Sequence, residues 1–407
     1  MKDREILRKL AAQYTECIRS PLNAERLKLH RAVNDRSMIR PVVLINEIPW
    51  GEYSCEPALQ ITCAGKREQE IERFFRQSLF HWRHFPGDMA LLPFFPVNKH
   101  IDMGSNGINV VEKTRNASTG THIMAHEYID QFAHDDDLHK LHNQTVTYDK
   151  ESSLKDLAYA AEIFGDLLPV KLCGTLPNPA FWDFIARYRG VTPMLADLYD
   201  RPEFMHSLVN KLTEIYLDAL RQLTELECLD SWSLQLHCTA ATVSDLAMPD
   251  PGARVEPRHL WGRGMAQIFA TVSPAMHDEF DIQYMKRAMA PFGLVYYGCC
   301  EPLHNKIDIV SRLPNLRKIG ITPWADPDIA AEKMGSRYVM AFKSNPAFVA
   351  APNSMDAAKK ELKRALSACR RNNTSCDVVL KDISTTDRDW HRLVEWEQMA
   401  MNEVCNW

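Results

Sequence analysis

The sequence predicts an α/β fold, a (β/α)8 TIM barrel with an N-terminal helical extension and long loops at the C-terminal face. Three observations lead there. Eight short apolar runs recur along the chain, separated mostly by segments of helical apolar spacing. With 407 residues and 45% hydrophobic content, the chain can bury a core of barrel size. Thiols, carboxylates and an imidazole gather at the carboxyl ends of those runs, where parallel α/β folds bind ligands.

Residues 2–36 read as charged amphipathic helices that cap one end of the barrel, which spans 37–407. The strand candidates are 41–48, 89–95, 169–174, 232–238, 293–299, 316–322, 338–343 and 376–383. Helical patterns occupy 66–84, 151–167, 202–227, 274–290, 304–313, 327–335, 354–372 and 387–404. Two long connections interrupt the alternation. One is a polar, His-rich insertion, 97–150, of a length that suits a lid or binding loop. The other, 239–264, follows the fourth predicted strand.

A formal net charge of −5 argues against nucleic acid as a partner. No apolar run approaches a membrane span. The first residues, MKDREILRKLAAQY, are charged and helical, unlike a signal peptide. Eleven scattered cysteines, an odd number without a disulfide spacing, suit free thiols in a reducing cytoplasm. The sequence has no GxGxxG after the first strand, no GxxxxGK[ST] and no GxSxG, so nucleotide cofactors and a serine nucleophile lack support.

The stretch Tyr296-Tyr297-Gly298-Cys299-Cys300-Glu301-Pro302 places two thiols and a carboxylate just beyond a buried strand. The fourth predicted strand ends in His237-Cys238. Together His237, Cys238, Cys299 and Cys300 are the candidate metal ligands, by residue type suited to zinc. The bland alternative is that the cysteines are small apolar fillers. Glu301, Glu47, Asp382 and Lys343, all at predicted strand ends, are the candidate catalytic groups. A structural ion pair is the competing reading for Lys343 and Asp382. Trp50, Trp261, Arg263 and Trp324 are the candidate substrate-binding residues, with rim packing the alternative for the aromatics. His122 and His126 would share a face if their segment were helical. They and the following His134–His142 run are better read as a solvated lid face.

Roughly 185–347 resembles the uroporphyrinogen decarboxylase-like superfamily, which includes corrinoid-dependent methyltransferases. The residues that carry the resemblance are Pro193-Met194-Leu195-Ala196-Asp197-Leu198-Tyr199-Asp200-Arg201-Pro202-Glu203, Ser273-Pro274-Ala275-Met276-His277-Asp278-Glu279-Phe280, the strand before Cys299, and Pro314-Asn315-Leu316-Arg317-Lys318-Ile319. The resemblance implies a (β/α)8 barrel. The Arg-rich, Gly-containing motif of the decarboxylases is missing from Arg40–Trp50. The zinc-using relatives carry His-x-Cys after the fifth strand and a Cys near the eighth. Here those positions read Gly298-Cys299-Cys300-Glu301 and Lys381-Asp382.

Together these features imply a methyltransferase that moves a methyl group from a small O-methylated, aromatic substrate to a corrinoid (cobalamin), carried by a partner corrinoid protein and assisted by zinc. A homodimer is compatible with the reading. The alternatives are a decarboxylase or lyase that holds a carboxylate with Lys343, Arg263 or Arg254, and a non-catalytic barrel that binds a corrinoid or tetrapyrrole.

Overall fold

The computed structural model describes residues 2–116, 124–230 and 234–407. Two helices open the chain, α1 (Lys2–Arg19) and α2 (Pro21–Asn34). In α1, Leu7, Leu10, Ala11 and Tyr14 recur at helical spacing and form the buried stripe. They pack with Ile71, Phe75 and Leu79 of helix Lys66–His84. α2 starts cleanly because Ser20 caps it, accepting the Leu22 N–H at 3.3 Å, and Pro21 pre-sets the first turn.

Ten strands frame the site: β1 (Val42–Ile45), β2 (Phe95–Asn98), β3 (Val170–Cys173), β4 (Gln235–Leu236), β5 (Thr239–Ala240), β6 (Trp261–Gly264), β7 (Leu294–Tyr297), β8 (Leu316–Ile321), β9 (Val339–Ser344) and β10 (Ser375–Leu380). Six of them make one parallel sheet in the order β1-β10-β9-β8-β7-β6. β2 and β3 form a separate parallel pair, and a single parallel bridge joins Thr175 to Leu229. The architecture is therefore mixed α/β around a six-stranded parallel sheet.

Strand alternation divides that sheet into two chemically different faces. Val43, Ile45, Val295, Tyr297, Ile319, Ile321, Met340, Phe342, Val378 and Leu380 join the main core together with apolar residues of the flanking helices. The opposite face is mixed. By register it carries Trp261, Arg263, Leu294, Tyr296, Lys318, Gly320, Val339, Ala341, Lys343, Asp377 and Val379. α2 covers its lower part through Leu29 and Val33, which cluster with Val42, Leu44, Val339 and Val379. The polar members need partners, because a buried polar group without one costs about 1–3 kcal/mol. Lys318 and Asp377 supply each other, Nζ to Oδ2 at 2.7 Å, with side chains 1% and 0% exposed.

Several sequence expectations change here. The predicted fourth strand, 232–238, is not a parallel strand of the sheet. Residues 231–233 lie outside the described residues, and β4 and β5 form a two-residue antiparallel hairpin on the mixed face. The position beside β7 belongs to Trp261–Gly264, inside the segment read as a loop. Its two glycines hid it: Gly262 and Gly264 are placed where a Cβ would run into Phe292, Met289 and Met285. The second strand begins at Phe95, where the run 89–95 was expected to end. The insertion is not structureless. Within it, His100–Asp102 pairs with Thr147–Asp149 and Glu112–Asn116 with Met124–Tyr128, both antiparallel. His126 is thus on a strand and not on the helix its pairing with His122 required; His122 lies outside the described residues. The expected helix 274–290 is broken by a π-helical turn, Asp278–Ile282. Among the described residues no helix is long and apolar enough to cross a membrane.

Lys318→Ala leaves Asp377 buried without its cation. We expect a loss of about 3–5 kcal/mol in urea unfolding. A loss below about 1 kcal/mol would show that the pair does not carry the mixed face.

Candidate functional site

The β4–β5 hairpin is built to present two side chains. His237 and Cys238 are its only loop residues, and both have positive φ, 47° and 66°. A two-residue hairpin of this kind favours Asn-Gly, so two bulkier residues here hold strain. Glu47 (φ 51°) and Asp382 (φ 57°), which follow β1 and β10, share the left-handed conformation. Gly298, at φ 120°, turns the chain after β7; a Cβ there would lie 2.9 Å from Leu303. These turns gather at the carboxyl ends of the strands.

They bring His237, Cys299 and Cys300 together. His237 Nε2 lies 3.0 Å from Cys299 Sγ, and Cys299 Sγ lies 3.6 Å from Cys300 Sγ. Glu301 folds back beneath this group. Its carboxylate accepts the Cys299 N–H at 2.9 Å and the Ala266 N–H at 3.1 Å, and the residue is fully buried. Lys343, from β9, donates to the Cys299 carbonyl. Glu301 thus reaches the thiols by fixing the backbone that carries them.

Cys238, the fourth expected ligand, turns to the other side and lies 3.4 Å from Glu47 Oε1. Glu47 Oε2 accepts the Asp382 N–H at 2.9 Å, and Lys381 Nζ donates to Asp382 Oδ2 at 2.7 Å. Asn46 donates to the Cys238 carbonyl at 2.9 Å. Among the described residues no three His, Cys, Asp or Glu side chains stand arranged to hold a metal ion. The His237–Cys299–Cys300 run offers nitrogen and sulfur donors of the right chemistry for zinc, without that arrangement.

The electrostatics favour one thiolate. The hydrogen bond from Cys299 pulls the Cys300 thiol down to about 7, against its burial, with Lys343 adding in the same sense. Holding that proton toward Cys300 pushes Cys299 up, and burial adds to it. Burial, with Lys343, Arg263 and Lys381 nearby, holds His237 neutral, well below the ordinary imidazole range. Burial also lowers Lys343. Burial opposes ionisation of Asp382, but the Lys381 and Glu47 contacts outweigh it and hold its carboxyl low.

Beside His237 opens a cavity of about 650 Å³, lined by β3's following loop, the hairpin and β6. Its wall is mixed: Leu236, Leu246 and Trp261 stand beside Arg31, Asp230 and His259. Arg263 and Thr242 also line it, and Arg263 Nε and Thr242 Oγ1 are buried with no partner. Of the expected substrate-binding residues, Trp261 and Arg263 therefore meet in one cavity, with Trp261 held by a bond to the Ala241 carbonyl at 2.9 Å. Trp50 instead packs edge-on against Tyr53 and Phe80. Trp324 is 68% exposed beyond β8. Neither lines this cavity.

Sequence reasoning missed a buried relay behind Glu301. Tyr297 donates to Asp281 at 2.6 Å and lies 2.7 Å from His277 Nε2, with all three residues fully buried. Asp183 is pushed up to about 7 by burial and then by Glu301. The readable signal was the His277/Asp281 pair, four apart and so on one face of a helical pattern.

In metal-free protein, alkylation of the exposed Cys300 by iodoacetamide should rise through about pH 7, because the thiolate is populated above that point. A free thiol does so near ~8.5. Cys299→Ala should move the midpoint upward. Site-resolved mass spectrometry that finds an ordinary midpoint in the unsubstituted protein would refute the pairing.

No family model matches this chain, and no curated protein matches it.

Proposed function

We propose that the chain is the substrate-side component of a methyl-transfer system, taking a methyl group from a small O-methylated aromatic to a corrinoid on a partner protein. The observation that carries this reading is the His237–Cys299–Cys300 cluster beside a cavity with an apolar side formed by Leu236, Leu246 and Trp261, at strand ends rich in left-handed residues. Strain held in that way clusters at working sites. The resemblance to the corrinoid-dependent branch of the uroporphyrinogen decarboxylase-like superfamily supports the same reaction class.

The chemical obstacle is an ether oxygen that leaves poorly. As the methyl–oxygen bond breaks, both electrons go to the oxygen, which becomes a phenolate and takes a proton from solvent. The corrinoid is the methyl acceptor: its cobalt(I) would supply the electron pair of the new bond to carbon and so become cobalt(III). Lys343 and Lys381 provide positive potential in this water-poor mouth, where it stabilises developing negative charge most effectively. The cavity wall holds the ring, and Glu301 fixes the Cys299 backbone. Orientation supplies much of the rate in such a transfer. Zinc belongs to the proposal on donor chemistry, with His237, Cys299 and Cys300 as its holders; bound there it would act as a Lewis acid. The six-stranded arc, the β2–β3 pair and the Thr175–Leu229 bridge support a distorted (β/α)8 barrel. The free thiols support a cytoplasmic setting.

One observation favours a second reading. Arg263 Nε is buried and unpartnered in the wall of this cavity, which suits a carboxylated substrate and a decarboxylase or lyase.

The test is anaerobic absorbance of cob(I)alamin with methoxybenzenes, methylamines and methanol. We expect methylcobalamin and a phenol from a methoxybenzene. Glu301→Gln should slow the reaction about 100-fold, the scale expected when reacting groups are misplaced by ~1 Å. Carbon dioxide release from a carboxylated substrate, with no cobalt methylation across the panel, would favour the second reading. Elemental analysis should find one zinc per chain, lost on joint Cys299→Ser and Cys300→Ser substitution. Full activity without metal would remove zinc from the proposal.

A further inference from the structure

A second cavity, of about 560 Å³, lies between the insertion and helices Phe181–Arg189 and Pro202–Glu225. Its chemistry differs from that of the first. Asn106, Gln144 and Asn178 share its lining with Phe181, Phe184 and Tyr216. Among the described residues, no acidic, basic or imidazole side chain lines it. The first cavity, by contrast, takes Arg31, Asp230, His237, His259 and Arg263 into its wall.

The wall is held in place before any ligand arrives. Asn106 Nδ2 donates to Tyr188 Oη at 3.1 Å, and Gln144 Nε2 donates to the Gly104 carbonyl at 3.2 Å. Gly107, at φ 93°, sits so close that a Cβ would lie 1.9 Å from the Lys140 carbonyl oxygen. Burial keeps the Tyr216 phenol protonated, and its hydroxyl reaches the Pro177 carbonyl at 3.5 Å. Pro177 and Asn178 line both cavities. Asn178 Oδ1 is buried with no partner, an acceptor in want of a donor.

We infer that this cavity is a binding site for an uncharged, planar aromatic molecule bearing a hydrogen-bond donor, such as a phenol. Aromatic and apolar walls take the ring, and carboxamides take the polar substituent without a fixed charge. An anionic ligand of the same shape is rejected because its charge would be buried with no cation to meet it. The site is separate from the thiol cluster, and the inference does not rest on methyl transfer.

The probes are 2-naphthol and 2-naphthoate, which share one ring system and differ in charge at pH 7. Fluorescence anisotropy should show saturable binding of 2-naphthol, with 2-naphthoate at least about tenfold weaker. Asn109→Trp, at the exposed rim, and Ala219→Phe, in the floor, should each weaken 2-naphthol at least about tenfold. Arg263→Ala, in the first cavity, should leave it unchanged. The inference is overturned by equal binding of the two probes, by absent binding, or by binding that responds to Arg263→Ala and to neither cavity-filling variant.

Discussion

The peptide of Ala240 is gripped by three side chains, and the site depends on that grip. Lys318 Nζ donates to its carbonyl at 2.7 Å, Asn34 Nδ2 at 2.9 Å, and its N–H donates to Asp377 Oδ2 at 3.1 Å. Lys318 and Asp377 are themselves a buried pair. A buried pair is a weak source of net stability but a strong specifier, because every misplacement leaves a charge unmet. Here it hangs a short hairpin on the mixed face of the sheet at a fixed height. The hairpin loop, only two residues before Ala240 in sequence, then puts His237 against Cys299.

From that anchor the division of the sheet follows. One face is apolar and packs on helices; it supplies the hydrophobic burial that stabilises the fold. The other face is free to carry lysines, an aspartate and an arginine, provided each finds a partner. Lys318 meets Asp377, Lys343 meets the Cys299 carbonyl, and Lys381 meets Asp382. Arg263 Nε does not find one. The unmet group and the strained loop residues lie on the same side of the molecule, where the larger cavity opens.

Two adjacent cysteines behave differently for a simple reason. Cys299 sits on Glu301, its N–H and carbonyl both engaged, and is buried. Cys300 is exposed and receives the hydrogen bond of its neighbour. One thiol therefore keeps its proton so that the other can lose one. Glu301 contributes by geometry: its oxygens hold the chain on which the thiols stand, and the acid and tyrosine groups behind it fill the space below.

The chain's local chemistry was legible without coordinates. Helices 327–335 and 354–372 announced themselves through apolar spacing, and the buried parallel strands after residue 290 through short, mostly apolar runs. The cluster after Tyr297 was legible too, since two thiols and a carboxylate beyond a buried strand are chemically conspicuous. What periodicity could not deliver was β6, a strand whose glycines exist to admit helix side chains, or the hairpin at 235–240, whose apolar run imitates a parallel strand. Nor could it say that Cys238 would turn to Glu47 while His237 turned to Cys299. Adjacent residues in a left-handed loop point apart, and which neighbour each meets depends on strands more than sixty residues away. Residue types and local propensity are written in the sequence; the pairing of unmet polar groups is decided only when the sheet, α2 and the hairpin enclose them together.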